Sequence, residues 1–343
     1  MACYIGLDVS DKSTHLCAVD EAGAMVWRGV CATDPETISR TIRRHCRDVV
    51  RVVLETGALS AFLYHGLSER GIAVVCVCAR HAKGVLSTRV NKSDPHDAEG
   101  LAQLARTGWF KAIHVKDDAT HLVRAELKVR DQLVRARRAL ANQLRGLLKL
   151  FGLRLGTVTT PARRAERLAA LWLQKPELRP ALAPLVAAIE ALESQIADTG
   201  RSLKQRAAAD PVCMRMMSIP GVGPMLALTY KSSIEDPGRF ARGMDAGAFA
   251  DLVSWRQQSG ERDTLGKISR AGDPMLRSAL YEGANSLLVR VKRPFPLQEW
   301  GKALAAAKGA KKARVAVARK LAVLLLTLWR SETEFQWPKA QAA

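Results

Sequence analysis

Two short apolar runs near the start of the chain each end in a carboxylate, and this constrains the fold more than any other feature. Cys3-Tyr4-Ile5-Gly6-Leu7 runs into Asp8, and Val52-Val53-Leu54 runs into Glu55. Runs of this length and composition read as buried strands. An acid at the tip of a buried strand is costly unless it is paired or bound to a cation. Two further acids, Asp94 and Asp97, lie three residues apart in Lys92-Ser93-Asp94-Pro95-His96-Asp97-Ala98. Hard oxygen donors of this kind are what Mg²⁺ takes, usually together with substrate phosphates.

The segments around these acids alternate in a readable order. Strands are predicted over 3–9, 14–20 and 24–32, separated by the turns Asp11-Lys12-Ser13 and Glu21-Ala22-Gly23. A helix over 35–47 follows, with Asp34 as N-cap and Pro35 at the first helical position. A strand over 49–55, a helix over 58–70, a strand over 72–79 and a helix over 94–106 complete the region. The order β-β-β-α-β-α-β-α predicts a mixed sheet flanked by helices. It resembles the ribonuclease-H-like (RuvC-like) fold, in which acids on the first strand, the fourth strand and the last helix meet at one end of the sheet.

Helix capping competes with metal binding for two of the acids. Asp94 suits an N-cap, Pro95 the next position, and Asp97 the positive end of a helix. Capping leaves Asp8 and Glu55 unexplained. Helical positions three apart share a face, and two carboxylates that close repel unless a cation lies between them. The four acids together read as a metal site.

Beyond residue 112 the pattern changes. Val129, Leu133, Ala136, Leu140, Gln143, Leu147 and Leu150 alternate spacings of four and three, as do Leu182, Leu185, Ile189, Leu192, Ile196, Thr199 and Leu203. Both series follow a heptad. They predict two long helices, forming a coiled-coil hairpin, a dimerisation arm or a packed bundle, separated by a Pro- and Arg-containing stretch at 152–180. From residue 211 the chain reads as mainly helical. Ser218-Ile219-Pro220-Gly221-Val222-Gly223-Pro224 is a glycine-rich turn like that of helix-hairpin-helix modules. There Gly221 and Gly223 permit close backbone approach, and helix N-terminal amides can hold a phosphate. The expected division is thus 1–112, 113–210, 211–335 and a tail, 336–343.

Charge points to the partner. The 343 residues hold 53 Lys and Arg against 33 Asp and Glu, a net +20. The three segments carry +2, +8 and +10 in order. A surplus of this kind suits a polyanion, because neutralising phosphates releases condensed counterions. The seven cysteines form no C-x-x-C pair and read as reduced, buried hydrophobes of a cytosolic protein. No apolar run approaches the ~20 residues needed to span a bilayer. All seven histidines precede residue 122, which excludes a Ser-His-Asp triad or a tyrosine-recombinase site built within the C-terminal region.

That region offers a serine instead. Ser259 stands beside Gly260 in Ser254-Trp255-Arg256-Gln257-Gln258-Ser259-Gly260-Glu261-Arg262, ahead of Lys267 and Arg270. Basic neighbours would stabilise a developing alkoxide and a pentavalent phosphate. From spacing alone, a polar DNA-contact loop built on Arg256, Arg262, Lys267 and Arg270 is the simpler reading.

Taken in order, Gly6-Leu7-Asp8, Leu54-Glu55-Thr56, Lys92 to Ala98, Ile219 to Gly223, Gln258-Ser259-Gly260 and Gly266 to Asp273 resemble the IS110 family of insertion-sequence transposases and the related Piv-type DNA invertases. The resemblance spans nearly the whole chain. It implies a RuvC-like domain whose D-E-D-D quartet (Asp8, Glu55, Asp94, Asp97) binds Mg²⁺, a coiled-coil region, and a C-terminal transposase domain. In that last domain Ser259 would attack a DNA phosphodiester, giving a phosphoserine link and a free 3′ hydroxyl. It further implies donor and target DNA as substrates, a structured guide (bridge) RNA, a dimer or a tetramer on DNA, and a cytoplasmic, nucleoid-associated bacterial enzyme. The family's centre is thought to combine the acidic domain of one protomer with the serine domain of another. The segment before Ser259 departs from the family's usual Pro-Arg and Tyr, which makes Ser254 the alternative nucleophile. Two other readings use the same residues: a Holliday-junction-type nuclease in which water attacks, and a non-catalytic nucleic-acid binder. No P-loop is present, in keeping with a reaction independent of ATP.

Overall fold

The structure is a computed structural model that describes residues 2–86, 93–158, 160–260, 262–269 and 272–337. The chain divides into two compact units, Met1–Asp117 and Asp118–Ala343.

The first unit is built on a five-stranded mixed sheet. Its strands are β1 (Ala2–Val9), β2 (Ser13–Val19), β3 (Met25–Ala32), β4 (Asp48–Glu55) and β5 (Val74–Val77), in the spatial order β3-β2-β1-β4-β5. The tight turns after β1 and β2 make those neighbours antiparallel. The helical crossovers α1 (Pro35–His45) and α2 (Ser60–Glu69) make β1, β4 and β5 parallel. Asp34 caps α1 as expected, its carboxylate accepting from the Thr37 N–H at 2.8 Å, with Pro35 next in the chain.

Strand alternation sorts the sheet's faces. Ile5, Leu7, Leu16 and Ala18 point to one side and pack with Ile38, Ile42, Leu63 and Leu67 of α1 and α2. The opposite side carries Tyr4, Cys17, Val19 and Val53, and α4 (Asp94–Thr107) covers it through Ala98, Leu101 and Ala102. Gly6 lies on this second face. A Cβ there would sit 2.1 Å from the Ala98 carbonyl and 2.3 Å from the Ala102 nitrogen, so the helix backbone rests directly on β1. A short helix, α3 (Ala79–Leu86), precedes α4 and has no counterpart in the expected order. Gly108, in the left-handed region at φ 69°, ends α4.

The second unit is helical around one two-stranded hairpin. Helices α5 (Asp118–Leu150) and α7 (Leu178–Ala208) cover the two heptad series, and α6 (Pro161–Gln174) forms within the stretch between them. The α7 series is buried or half-buried, whereas in α5 Val129, Gln143 and Leu150 are exposed and Leu127, Leu144 and Leu148 are buried instead. The long helices run antiparallel within one chain. Leu127 near the start of α5 joins Leu203 and Ala207 near the end of α7, while Leu144 and Leu148 meet Leu182 and Ile189 at the opposite ends.

A second core holds α8 (Pro211–Met217), α9 (Pro224–Ile234), α10 (Asp245–Phe249), α11 (Pro274–Arg290), α12 (Pro296–Lys308) and α13 (Ala310–Ser331). Tyr230, fully buried in α9, donates its hydroxyl to the Ala322 carbonyl at 2.6 Å. Between α10 and α11, β6 (Ser254–Ser259) and β7 (Arg262–Ile268) form an antiparallel hairpin. The cysteines are all free thiols. Burial pushes Cys76 up to about 11 and Cys46 and Cys213 up to about 12, so these behave as inert hydrophobes.

Candidate active site and nucleic-acid surface

The acidic face of the first unit follows from register. Leu7 pairs with Leu54 across the parallel β1–β4 ladder, so Asp8 and Glu55 stand at the same level at the ends of adjacent strands. Asp8 is two residues beyond Gly6 and Glu55 two beyond Val53, so both carboxylates leave the sheet on the side that α4 covers. Both residues are half-buried. Helix α4 begins over this end of the sheet and carries Asp94 and Asp97 in its first turn.

The cap of α4 differs from expectation by one residue. Ser93, with extended backbone at φ −152°, is the N-cap, and Asp94 is already helical. The His96 and Asp97 N–H groups donate to the Ser93 carbonyl at 2.9 Å. Asp94 therefore does not serve as the cap, and its carboxylate reaches to within 3.7 Å of His15 Nε2.

His15 escapes a reading of the sequence by motif. It is the direct cross-strand partner of Asp8 in the β1–β2 ladder, so its ring shares the acidic face. The tight turn at Asp11-Lys12-Ser13 was the available signal, since it fixes which β2 residue lies opposite Asp8. His96 is placed differently: it is exposed, and its Nδ1 lies 3.0 Å from Ser93 Oγ.

Topology thus gathers these positions at one end of the sheet. Among the described residues no three His, Cys, Asp or Glu side chains converge at ligand distance on one point. By chemistry the set fits a hard divalent ion: four carboxylates on two adjacent strands and one helix turn.

In the second unit, Ser259 ends β6 at the tip of the hairpin, exposed to solvent and paired with Arg262 across a turn in which Gly260 adopts φ 55°. Ser254 opens β6 opposite Ile268. Arg256, expected to contribute free positive charge, is held by Asp263: Nε donates to Oδ1 at 2.7 Å and an Nη donates to Oδ2 at 2.6 Å. That hydrogen-bonded pairing draws the Asp263 carboxyl below its usual range. Arg262 and Lys267 are described as positions on β7, and Arg270 lies outside the described residues.

At the base of the hairpin, Asp251 is buried in left-handed backbone (φ 54°) and accepts from Ser269 Oγ at 2.7 Å. Gly221, at φ 90°, lies where a Cβ would sit 2.9 Å from the backbone of Leu287 in α11, and Gly223 precedes α9 as its N-cap. One surface was not anticipated. A cavity of about 1610 Å³ lies between the hairpin, α12 and α13, with an apolar floor that includes Leu252, Val315 and Leu324 and cations at Lys311, Lys312, Arg319 and Lys320. Lys320 Nζ stands 3.9 Å from the centre of the Trp300 ring.

Comparison with known proteins supplies the class. A DEDD-type profile described as "Transposase" matches residues 5–152, and a second, "Transposase IS116/IS110/IS902 family", matches 213–298. The transposase for insertion sequence element IS1111A of Coxiella burnetii is 32% identical over 338 residues, 96% of this chain and 90% of that protein. A probable family 20 transposase of Pseudomonas aeruginosa is 29% identical, over 96% of this chain and 97% of its own. The transposase for insertion sequence element IS1328 of Yersinia enterocolitica is 26% identical over 86% and 87%.

The mixed α/β unit with its acids and the basic helical unit thus belong to a transposase, an enzyme that cuts and recombines DNA. The chain belongs to the IS110 family of insertion-sequence transposases. An acidic-quartet family of this kind points to use of a divalent metal. Among the described residues no helix is long and apolar enough to cross a membrane.

Proposed function

We propose that this transposase exchanges DNA strands through a covalent serine intermediate, with Asp8, Glu55, Asp94 and Asp97 holding Mg²⁺ in a RuvC-like first unit. The observation that carries the reading is the placement of Asp8 and Glu55 at one level on one sheet face, beneath the helix turn bearing Asp94 and Asp97. A divalent ion bound there would polarise a phosphate and stabilise the charge that develops on it.

In the reaction Ser259 Oγ forms a bond to phosphorus as its proton departs. The bond from phosphorus to the 3′ oxygen breaks, and that oxygen leaves as a hydroxyl after taking up a proton. The phosphoserine link conserves the phosphodiester, so rejoining needs no nucleotide hydrolysis. The second unit carries +18 of the net charge and supplies the polyanion surface. The resemblance supports donor and target DNA as substrates, a bridge RNA as guide, and an oligomer on DNA. Sequencing the RNA that copurifies with the protein tests the guide.

The chemistry is tested on denaturing gels with labelled donor DNA. Wild type is expected to give a protein–DNA adduct that Ser259→Ala and Asp8→Asn lose. An adduct that survives in Ser259→Ala and disappears in Ser254→Ala moves the nucleophile. Cleavage with no adduct at any time replaces serine attack by water.

A further inference from the structure

We propose that His15 is a fifth ligand residue of the acidic face, placing an imidazole nitrogen beside the carboxylates. The inference rests on the reading of that face as a metal site.

Three elements bring chemistry to this point. Asp8 on β1 and His15 on β2 are direct partners in an antiparallel ladder, so their side chains leave the same face of the sheet. Their Cβ atoms are then about 5 Å apart, as for any directly opposed pair. Asp94 enters from the first turn of α4, its Oδ2 at 3.7 Å from His15 Nε2.

That distance is informative. It exceeds the ~3.2 Å limit of an N–H···O hydrogen bond. Two donors on one ion, each about 2.1 Å from it, stand roughly 3 Å apart when adjacent and roughly 4.2 Å apart when opposed. The observed separation lies inside that interval. The His15 side chain is 22% exposed and that of Asp94 62%, so the ring is held against the sheet while the carboxylate projects over it. Read only as a surface ion pair, this contact would be worth no more than about 1 kcal/mol.

An imidazole changes which ion is preferred. Carboxylate and water suit Mg²⁺, whereas nitrogen donors favour later transition ions. A site of carboxylates plus His15 binds Mn²⁺ more tightly, relative to Mg²⁺, than the four acids would alone.

The test uses the full-length protein and Mn²⁺. Pulsed electron paramagnetic resonance of bound Mn²⁺ is expected to show coupling to ¹⁴N, converted to a ¹⁵N pattern by labelling histidine. His15→Gln should remove the coupling and weaken Mn²⁺ binding by calorimetry about tenfold, with a smaller loss for Mg²⁺. His96→Gln should change neither. Circular dichroism checks the fold of each variant, and if His15→Gln unfolds, His15→Asn is measured in its place. Mn²⁺ that binds, and is lost in Asp8→Asn, but shows no nitrogen coupling overturns the role of His15 and leaves the acidic face intact. Absence of Mn²⁺ binding up to millimolar concentration, or binding indifferent to Asp8→Asn, overturns both.

Discussion

Gly6 is the residue on which the acidic face depends. Ala98 and Ala102 present backbone atoms to it, and backbone cannot move aside as a flexible side chain can. Gly6→Ala must lift α4 from β1 and carry Asp94 and Asp97 away from Asp8. We expect a loss of about 3 kcal/mol in urea unfolding, at the upper end for overpacking a core, together with weaker Mn²⁺ binding. Asp273 makes a second prediction at this scale. Burial alone would raise its carboxyl, but Arg124 at 2.6 Å and the Met275 and Leu276 N–H groups outweigh burial and hold it below the usual range. A carboxyl with a native pKa below its unfolded value near ~3.9 adds stability that is complete above that value and is lost as the pH falls through the native one. Wild type should therefore hold its stability from neutral pH down to about 5 and lose it steeply below about 4. Asp273→Asn should start about 2 kcal/mol lower and fall less over the same range. Chemical unfolding at a series of pH values measures both. Asp8 and Glu55 were legible in the sequence because each interrupts an apolar run at its end. His15 was not, because its place depends on pairing with a strand it does not belong to.

At the scale of elements, what could be read was whatever had a period. The heptads of α5 and α7 gave two long helices, and the structure pairs them antiparallel within one chain. Helix α6 escaped because Pro161 and its arginines looked like a linker. Pro161 instead opens the helix, and the Thr160 hydroxyl accepts from the Arg163 N–H at 3.3 Å. The β6–β7 hairpin escaped for another reason: Trp255 to Ser259 are exposed and mostly polar, so no alternation marks a strand. Apolar packing of Leu168 and Leu171 joins α6 to α7, and an ion pair adds to it. Arg164, only 6% exposed, donates from both terminal nitrogens to Glu193, at 2.7 and 2.8 Å. Breaking a buried pair from one side strands the other charge. Glu193→Ala should cost about 3 kcal/mol in urea unfolding, whereas the double variant Arg164→Met, Glu193→Leu should recover most of it. A double variant no more stable than Glu193→Ala would show that the pair does more than cancel its own desolvation.

At the scale of the whole molecule, charge is divided as sharply as fold. Residues 1–117 carry a net +2 and residues 118–343 a net +18, so the acidic face belongs to the nearly neutral unit and most of the positive charge to the other. The separation has a physical use. A field strong enough to gather DNA would, if centred on the quartet, compete with the cation proposed for those acids. The cations around the large cavity are the natural place to measure the division. Lys311 and Lys312 lie near the start of α13 and Arg319 lies further along it, all on the cavity wall. Each Lys or Arg that neutralises a phosphate contributes a slope of about −0.9 to log K against log salt. Replacing Lys311, Lys312 and Arg319 together with Gln should therefore reduce the slope for binding a DNA duplex by about 2.5 and weaken binding almost equally for every sequence. Replacing Arg40, Arg43 and Arg44 of α1 removes the same charge from the first unit and should leave the slope within about 0.5 of wild type. Fluorescence anisotropy with labelled duplexes across a salt series reads both. Equal slope changes in the two variants would mean that DNA is held by net charge alone, and the cavity wall would lose its claim as the nucleic-acid surface.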